Sequence, residues 1–204
     1  MLPLTLNDLL PLQEYSARRR EFFESLGRYL DRYRRVRVGP KATLLFENRQ
    51  TLWFRVHEII RIARLSDKTR LQEELNWYNT LLPGKNNLQA VLMIDVDDES
   101  RLVEELENWR TLTSENVRFR IGQTFLTCQI VTCRPEDLWI GAAYWVQFDC
   151  NRPARSHLAN FSQPAYLEIA IPGYEHQSDM LSDDVRQSLV DDLELSDKDE
   201  GIAA

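Results

Sequence analysis

The sequence predicts an α+β fold, in which a mostly antiparallel sheet of about five or six strands carries packed helices, preceded by a basic N-terminal helix and followed by a disordered acidic C-terminal tail. Three observations predict it. Through the first half of the chain, apolar residues recur at three- and four-residue steps, the period of amphipathic helices. After Asn116 they fall in short apolar runs separated by turn signals, the pattern of strands. From Gln177 the chain is rich in Asp, Ser and Glu and poor in the apolar side chains that would offset the entropy of ordering it. Length and composition agree: 204 residues, 43% hydrophobic and 28% charged, suffice for a buried core and exclude a mainly disordered, collagen-like or coiled-coil chain. The expected organisation is one domain over residues 1–176, with a helical arm in its first 40 residues, and a tail over 177–204.

Each element has a local reason. Leu4 to Pro11 reads as a docking turn, after which Pro11 permits a helix. From Tyr15 to Val36 the positions Tyr15, Phe22 or Phe23, Leu26, Tyr29 or Leu30 and Tyr33 form an apolar stripe opposite an arginine-rich face. Gly39-Pro40 stops it. Ala42 to Phe46 reads as a strand, and Asn48 as the N-cap of a helix from about Arg49 to Leu65. Leu52, Val56, Ile59, Ile60 and Ala63 lie on one side of that helix, and Trp53, Phe54 and Ile62 widen the stripe until burial on most sides is expected. Asp67 caps a third helix to about Asn79, closed by Leu82-Pro83-Gly84. Leu88 to Val96 is an apolar strand, and Glu99 to Thr111 a surface helix with Leu102, Leu106 and Trp109 inward. Four strands follow, Val117 to Ile121, Phe125 to Val131, Ala142 to Cys150 and Tyr166 to Ile171, with a hairpin turn at Gly122-Gln123 and a helix over Arg152 to Phe161. In the tail, Val185, Leu189 and Leu193 allow one weak helix.

Charge narrows the function classes. The formal net charge of −7 argues against a general nucleic-acid coat. Yet Gln13 to Lys41 holds nine basic against four acidic residues, and Glu175 to Glu200 holds ten acidic against two basic. The basic stretch, with Arg18, Arg19, Arg20, Arg28, Arg32 and Arg35 on its outer face, fits a docking surface for an acidic protein partner or for the chain's own tail. Phosphate contacts with stacking on Tyr29 and Tyr33 are the nucleic-acid alternative, disfavoured by the net charge. Cys128, Cys133 and Cys150 match no zinc or redox spacing and read as small core residues of a cytoplasmic protein. No segment has the signature of a signal peptide or a membrane span.

The densest polar cluster on buried elements is Glu47-Asn48-Arg49 with His57, Glu58 and Arg61. Glu58 and Arg61 are three residues apart, and His57 and Arg61 four apart, so each pair can meet on one helix face. One reading is a small-anion or carboxylate site at a helix N-terminus, with Glu58 orienting Arg61. The other is a buried ion pair and cap that fix the helix to the sheet, which is the usual reason for such residues to lie inside. A cleft should leave Arg49 and Arg61 partly exposed at its mouth. Glu47, Glu58, Glu73, Glu74, His57 and His176 offer oxygen and nitrogen donors, but no Glu is followed three residues later by His, so no metal is assigned. Three cysteines fall short of the four thiolates an iron–sulfur cluster takes. Ser156-His157 with Asp149 lacks the nucleophile-elbow turn, and the seven glycines form no phosphate loop. No cofactor is therefore expected, and whether the chain is an enzyme stays open.

Several of these segments also carry a family resemblance. Leu4-Thr5-Leu6-Asn7-Asp8-Leu9-Leu10-Pro11-Leu12-Gln13-Glu14-Tyr15, Gly39-Pro40, Leu44-Leu45-Phe46-Glu47-Asn48-Arg49, Glu58-Ile59-Ile60-Arg61-Ile62, Gln72-Glu73-Glu74-Leu75, Tyr78-Asn79 and Pro83 resemble, in order and spacing, the bacterial domain of unknown function family 3501. Tyr174-Glu175-His176 stands near an Asp-His-Pro sequence of such proteins, with Gln177 in place of the proline. Glu74, Asn79 and His176 thereby join the candidate ligand-binding residues. The resemblance assigns no activity. It implies genes beside rubrerythrin-like and iron–sulfur oxidoreductase proteins, and so a non-catalytic accessory or interaction factor in a redox or oxidative-stress pathway. The alternative is an enzyme or small-anion binder using Glu47, Asn48, Arg49, Glu58 and Arg61.

Overall fold

The computed structural model describes residues 1–96, 99–131 and 143–200. Cys133, the first residue of the strand expected from Ala142, and the last four residues of the tail lie outside the described residues. Among the described residues, nine strands form two antiparallel sheets. The five-stranded sheet has the order β1 (Arg35–Val38), β2 (Ala42–Phe46), β3 (Asn87–Ile94), β7 (Ala143–Asp149) and β6 (Cys128–Val131). The four-stranded sheet has the order β5 (Thr124–Leu126), β4 (Val117–Ile121), β8 (Ala165–Ile171) and β9 (Tyr174–Gln177). A bridge from Val38 to Ser178 joins the first strand to the segment that follows the last. The helices are α1 (Leu12–Tyr33), α2 (Arg49–Ala63), α3 (Lys68–Asn79), α4 (Leu102–Trp109), α5 (Arg152–Ala159) and α6 (Asp183–Glu200).

The two sheets face each other across one core. Leu44, Phe46, Leu88, Leu92, Val146 and Phe148 of the larger sheet meet Val117, Phe119, Ile121, Leu167 and Ile169 of the smaller. Phe46, Phe119 and Phe148 form its aromatic centre, with ring centroids 5.6–6.1 Å apart. Because β2 is buried at every position, both faces of the larger sheet must be covered. Its outer face, where Trp145 emerges, meets a second core of Leu4, Leu52, Val56, Ile60, Leu75 and Leu81, built by α2, α3 and the N-terminal segment. The expected cap of α2 is present: the Asn48 side chain accepts from the amides of Gln50 and Thr51.

The α+β class and antiparallel pairing stand, and four details depart from the sequence reading. The single sheet is two sheets, because the strand read over Phe125 to Val131 breaks at Thr127 and sends β5 and β6 to different sheets. The first helix ends at Tyr33, and Arg-Val-Arg-Val becomes strand β1 with its arginines outward and valines inward. Leu102 is exposed where it was expected inward. Most consequentially, the tail is not disordered from Gln177. Leu181, Val185, Leu189 and Leu193 are at most 5% exposed and belong to the main core. Their spacing of four residues is one face of a helix, and four such side chains provide apolar burial that offsets the ordering of an otherwise acidic segment. A chain ending at Gln177 should therefore lose its cooperative unfolding transition. Leu189→Ala should lower stability by about 2–5 kcal/mol in urea denaturation.

Candidate functional site

The polar residues singled out in the sequence converge on α2, and each finds its partner within the chain. At the start of α2 the Glu47 carboxylate, fully buried, accepts from Arg55 at 2.8 Å and 2.6 Å and from the Thr51 hydroxyl. Asn48 uses its side-chain oxygen for the cap and donates its amide to the Tyr29 hydroxyl at 2.8 Å. Arg34, the C-cap of α1, donates its Nε to the same hydroxyl at 2.8 Å and its terminal nitrogens to Asp192 of α6. Both members of that ion pair are 4% exposed. Burial pushes the Asp192 carboxyl above its ordinary value, against the pull of Arg34 and a hydrogen bond from Asn48. Tyr29, Arg34, Asn48 and Asp192 thus form one buried network across α1, α2 and α6. Tyr29 entered the sequence reading as a stacking residue, and Asp192 lay in the weak helix allowed within an otherwise disordered tail.

Nearly three turns further along α2, the chemistry is again internal. Burial alone would raise the Glu58 carboxyl, but hydrogen bonds from Arg19, Arg61 and Tyr15 outweigh it and hold it at about 2. Arg19 reaches it with two bonds of 2.8 Å, Tyr15 with one of 2.9 Å and Arg61 with bonds of 3.2 and 3.0 Å. The pair expected to fix the second helix to the sheet therefore joins α2 to α1. His57, 1% exposed, has both ring nitrogens engaged. Its Nδ1 lies 2.8 Å from the Trp53 carbonyl, which can only accept, so the proton sits on Nδ1, and Nε2 accepts from the Leu10 amide at 3.0 Å. With that lone pair taken, no ring nitrogen is available to a metal. Burial keeps the ring's pKa below the ordinary value.

The remaining candidates clamp the N-terminal segment. Arg49 is partly exposed, as a cleft would require, but it is bonded to Asp8 at 2.6 Å and to the Leu2 carbonyl at 3.2 Å. Asn79 accepts from the Leu4 amide at 2.7 Å and donates to the Leu4 carbonyl at 2.9 Å, pairing with the backbone as a second peptide would. Glu74 sits half-buried on the same helix. His176 is exposed on β9, outside this cluster, and packs against Tyr174 with ring centroids 4.4 Å apart and ring planes tilted by 59°.

The arm's arginines divide. Arg18 and Arg20 face Glu21 and Glu24 of their own helix, Arg35 at the start of β1 faces Asp31 of α1, and Arg32 reaches Asp184 of α6 at 2.8 Å. Arg28 is exposed, whereas Arg19 lies in the seam with α2 and not on the outer face. Beside that seam runs a groove of roughly 350 Å³ lined by Phe23, Leu26, Leu30, Phe54, Ile59 and Met93, with Arg35, Arg55 and Glu58 at its margin. The Cys128 and Cys150 thiols are buried and pushed up to about 12, which keeps them protonated and poorly nucleophilic. Among the described residues, no three His, Cys, Asp or Glu side chains gather as a metal site would need.

Two predictions follow from this geometry. Asp192→Asn leaves the Arg34 charge buried without its counter-ion and should cost about 3–5 kcal/mol in urea denaturation, whereas Arg20→Ala on the surface should stay within about 0.5 kcal/mol of the parent. The second concerns pH. In the unfolded chain His57 takes up a proton near 6.5, and in the folded chain burial resists it. The unfolded state then binds more protons on acidification, so this contribution is intact above about pH 6.5 and lost below it. Glu58 acts lower, its contribution intact above 4.5 and lost as pH falls through about 2. In His57→Gln the slope of stability against pH just below 6.5 should flatten, while the loss at lower pH persists.

Comparison with known proteins bears on these residues as a framework. None of the curated proteins matches the chain. A crystal structure of a novel protein of unknown function from Burkholderia pseudomallei K96243 is similar, with 26% sequence identity and a TM-score of 0.84, over 94% of this chain and 100% of that one. The family model described as Protein of unknown function (DUF3501) matches residues 3–193, ending at Leu193, a core residue of α6. The chain belongs to this family of unknown function.

Proposed function

We propose that this protein is a non-catalytic accessory factor of a redox or oxidative-stress pathway in the bacterial cytoplasm, and that it docks an acidic, apolar segment of a partner enzyme in the groove between α1 and α2. The observation that supports this reading is the groove itself. Phe23, 58% exposed, stands at its edge, and Ile62, 66% exposed, lies one helical turn beyond Glu58 on the same side of α2. Large apolar side chains exposed beside a concave apolar surface are the usual anatomy of a docking site. Charge selects the partner. The guanidinium groups of Arg19, Arg35, Arg55 and Arg61 surround the groove, against the surface carboxylates of Asp31 and Glu58 and the buried one of Glu47. An apolar segment flanked by carboxylates complements that excess.

The rival site at Glu47, Asn48, Arg49, Glu58 and Arg61 draws less support, because those groups already bond one another or neighbouring segments. The nucleic-acid reading of the arm weakens for a similar reason, since Arg18, Arg19, Arg20, Arg32 and Arg35 all face carboxylates of this chain. The redox setting rests on the family resemblance, which also names the partners to try. The test is binding of purified rubrerythrin-like and iron–sulfur oxidoreductase proteins from the same cell to the immobilised full chain. A saturable complex with either is expected, weakening as salt rises past about 0.15 M, where the Debye length is roughly 8 Å. It should weaken about tenfold in Phe23→Ser, with the melting temperature unchanged. Absence of saturable binding to both proteins, or binding that Phe23→Ser and Ile62→Ser leave intact, would overturn the reading.

A further inference from the structure

A second concavity lies at the far end of the sandwich, where the β1–β2 turn, α4 and the β8–β9 turn meet. We propose that it binds a small zwitterion bearing a carboxylate and an ammonium group, of the size of a free amino acid or an N-methylated amino acid. Its volume of roughly 280 Å³ lies at the small end of the range of ligand pockets.

The aromatic wall is built from distant parts of the chain. Trp109 of α4 packs on Tyr174 with centroids 4.9 Å apart, and Tyr174 packs on His176 at 4.4 Å. Tyr174 is fixed by its hydroxyl, which donates to the Val38 carbonyl and accepts from the Lys41 amide. His176 is fixed by contact: Gly39, at φ +69°, runs so close that a Cβ there would lie 2.4 Å from its Cγ. Only glycine serves at that position, for both its conformation and its lack of a side chain. An exposed imidazole held this firmly against a buried tyrosine is a preformed surface.

The rim supplies charges of both signs. Lys41 meets Glu105 at 2.7 Å, and Arg101 meets Glu104 at 3.4 Å. The Glu105 side chain is 10% exposed while Lys41 and Arg101 are 39% and 56% exposed, so both cations keep room for a further carboxylate. Arg37 and Asp95 both lie near enough to act on the Tyr174 hydroxyl electrostatically, with opposite signs, so that side too carries both charges. A lone anion here would face Glu104, Glu105 and Asp95, and a lone cation would face Lys41 and Arg101. A ligand with both charges is opposed by neither set, since its carboxylate meets Lys41 and Arg101 while its ammonium meets Glu104 and the faces of the aromatic wall. None of these residues lines the α1–α2 groove, so this inference is independent of the docking reading.

The test is a titration of the isotope-labelled full chain, followed by amide resonances, with L-glutamine, L-phenylalanine and glycine betaine as zwitterionic probes and choline and acetate as single-charge controls. At least one zwitterion should give saturable shifts at Lys41, Glu105, Tyr174 and His176, with an affinity about tenfold above either control. Arg101→Gln and Glu104→Gln alter exposed side chains and should each weaken that affinity several-fold while leaving the melting temperature unchanged. Choline or acetate binding as well as every zwitterion, zwitterion shifts confined to other faces, or no saturable shift with any zwitterion would overturn the proposal.

Discussion

The ion pair between Arg34 and Asp192 sets the arrangement of everything around it. Arg34 is the residue at which α1 gives way to β1, and its amide and carbonyl tie the helix end to the sheet through bonds to Leu30 and Phe46. Its side chain fixes the sixth helix through Asp192, and the first and second through Tyr29 and Asn48. Removing two charges from water costs several kcal/mol per ion, comparable to the roughly 4 kcal/mol of attraction at close range for an effective dielectric constant of 20. The pair therefore adds little net stability by itself. Its effect is selective: once apolar burial has brought α6 against the sheet, any register of that helix that separates Asp192 from Arg34 leaves a charge buried alone. Arg186 fixes the same helix a turn and a half earlier, donating to the backbone carbonyls of His157, Leu158, Asn160 and Gln163 where α5 ends. Carbonyls at a helix end have spare acceptor capacity, those of His157 and Asn160 taking one backbone amide each, and one buried guanidinium bonds all four without needing a carboxylate.

Local signals in the sequence were read well where one element decides its own structure. Asn48 and Asp67 cap the helices they were expected to cap, and the apolar run of Ala42 to Phe46 is a strand. The misreadings share a cause, which is dependence on a distant partner. Arg-Val-Arg-Val alternates as a strand does, but it adjoins a helical pattern, and only pairing with β2 shows which period applies. Phe125 to Val131 looks continuous until two sheets claim its two halves. In the acidic tail Val185, Leu189 and Leu193 were read as no more than a weak helix and Leu181 was missed, because composition averages over a segment, while folding uses one face of it. A four-residue apolar repeat within a polar segment was the available signal.

The candidate site shows the same division. The Glu58–Arg61 contact was legible from spacing along one helix. Arg19 and Tyr15, which hold Glu58 more closely, lie some forty positions earlier in the chain and could not be paired with it from spacing. Asn79 was noticed for standing in a recognisable block, and its role is to replace a neighbouring strand for Leu4. That residue is 1% exposed and anchors the second core, so the amide and carbonyl it buries need partners, and a primary amide supplies one donor and one acceptor in the geometry of a peptide.

The residues on which the family resemblance rests are therefore, for the most part, those that close the fold around α2. Glu47, Asn48, Arg49, Glu58 and Asn79 each satisfy a charge or backbone group that burial would otherwise strand. In a fold whose outer sheet face is covered by a short N-terminal segment and two helices, such groups are unavoidable. Segment ends carry unpaired amides and carbonyls, and packing them beneath apolar side chains excludes the water that would have bonded them. A polar block in the sequence of such a protein marks where segments join. Away from those joins, the chain holds one exposed side chain in place without using up its interactions: His176, backed by Gly39 and the buried Tyr174. Its rigidity is imposed from behind while the outward face stays open, which is the condition under which binding loses least conformational entropy.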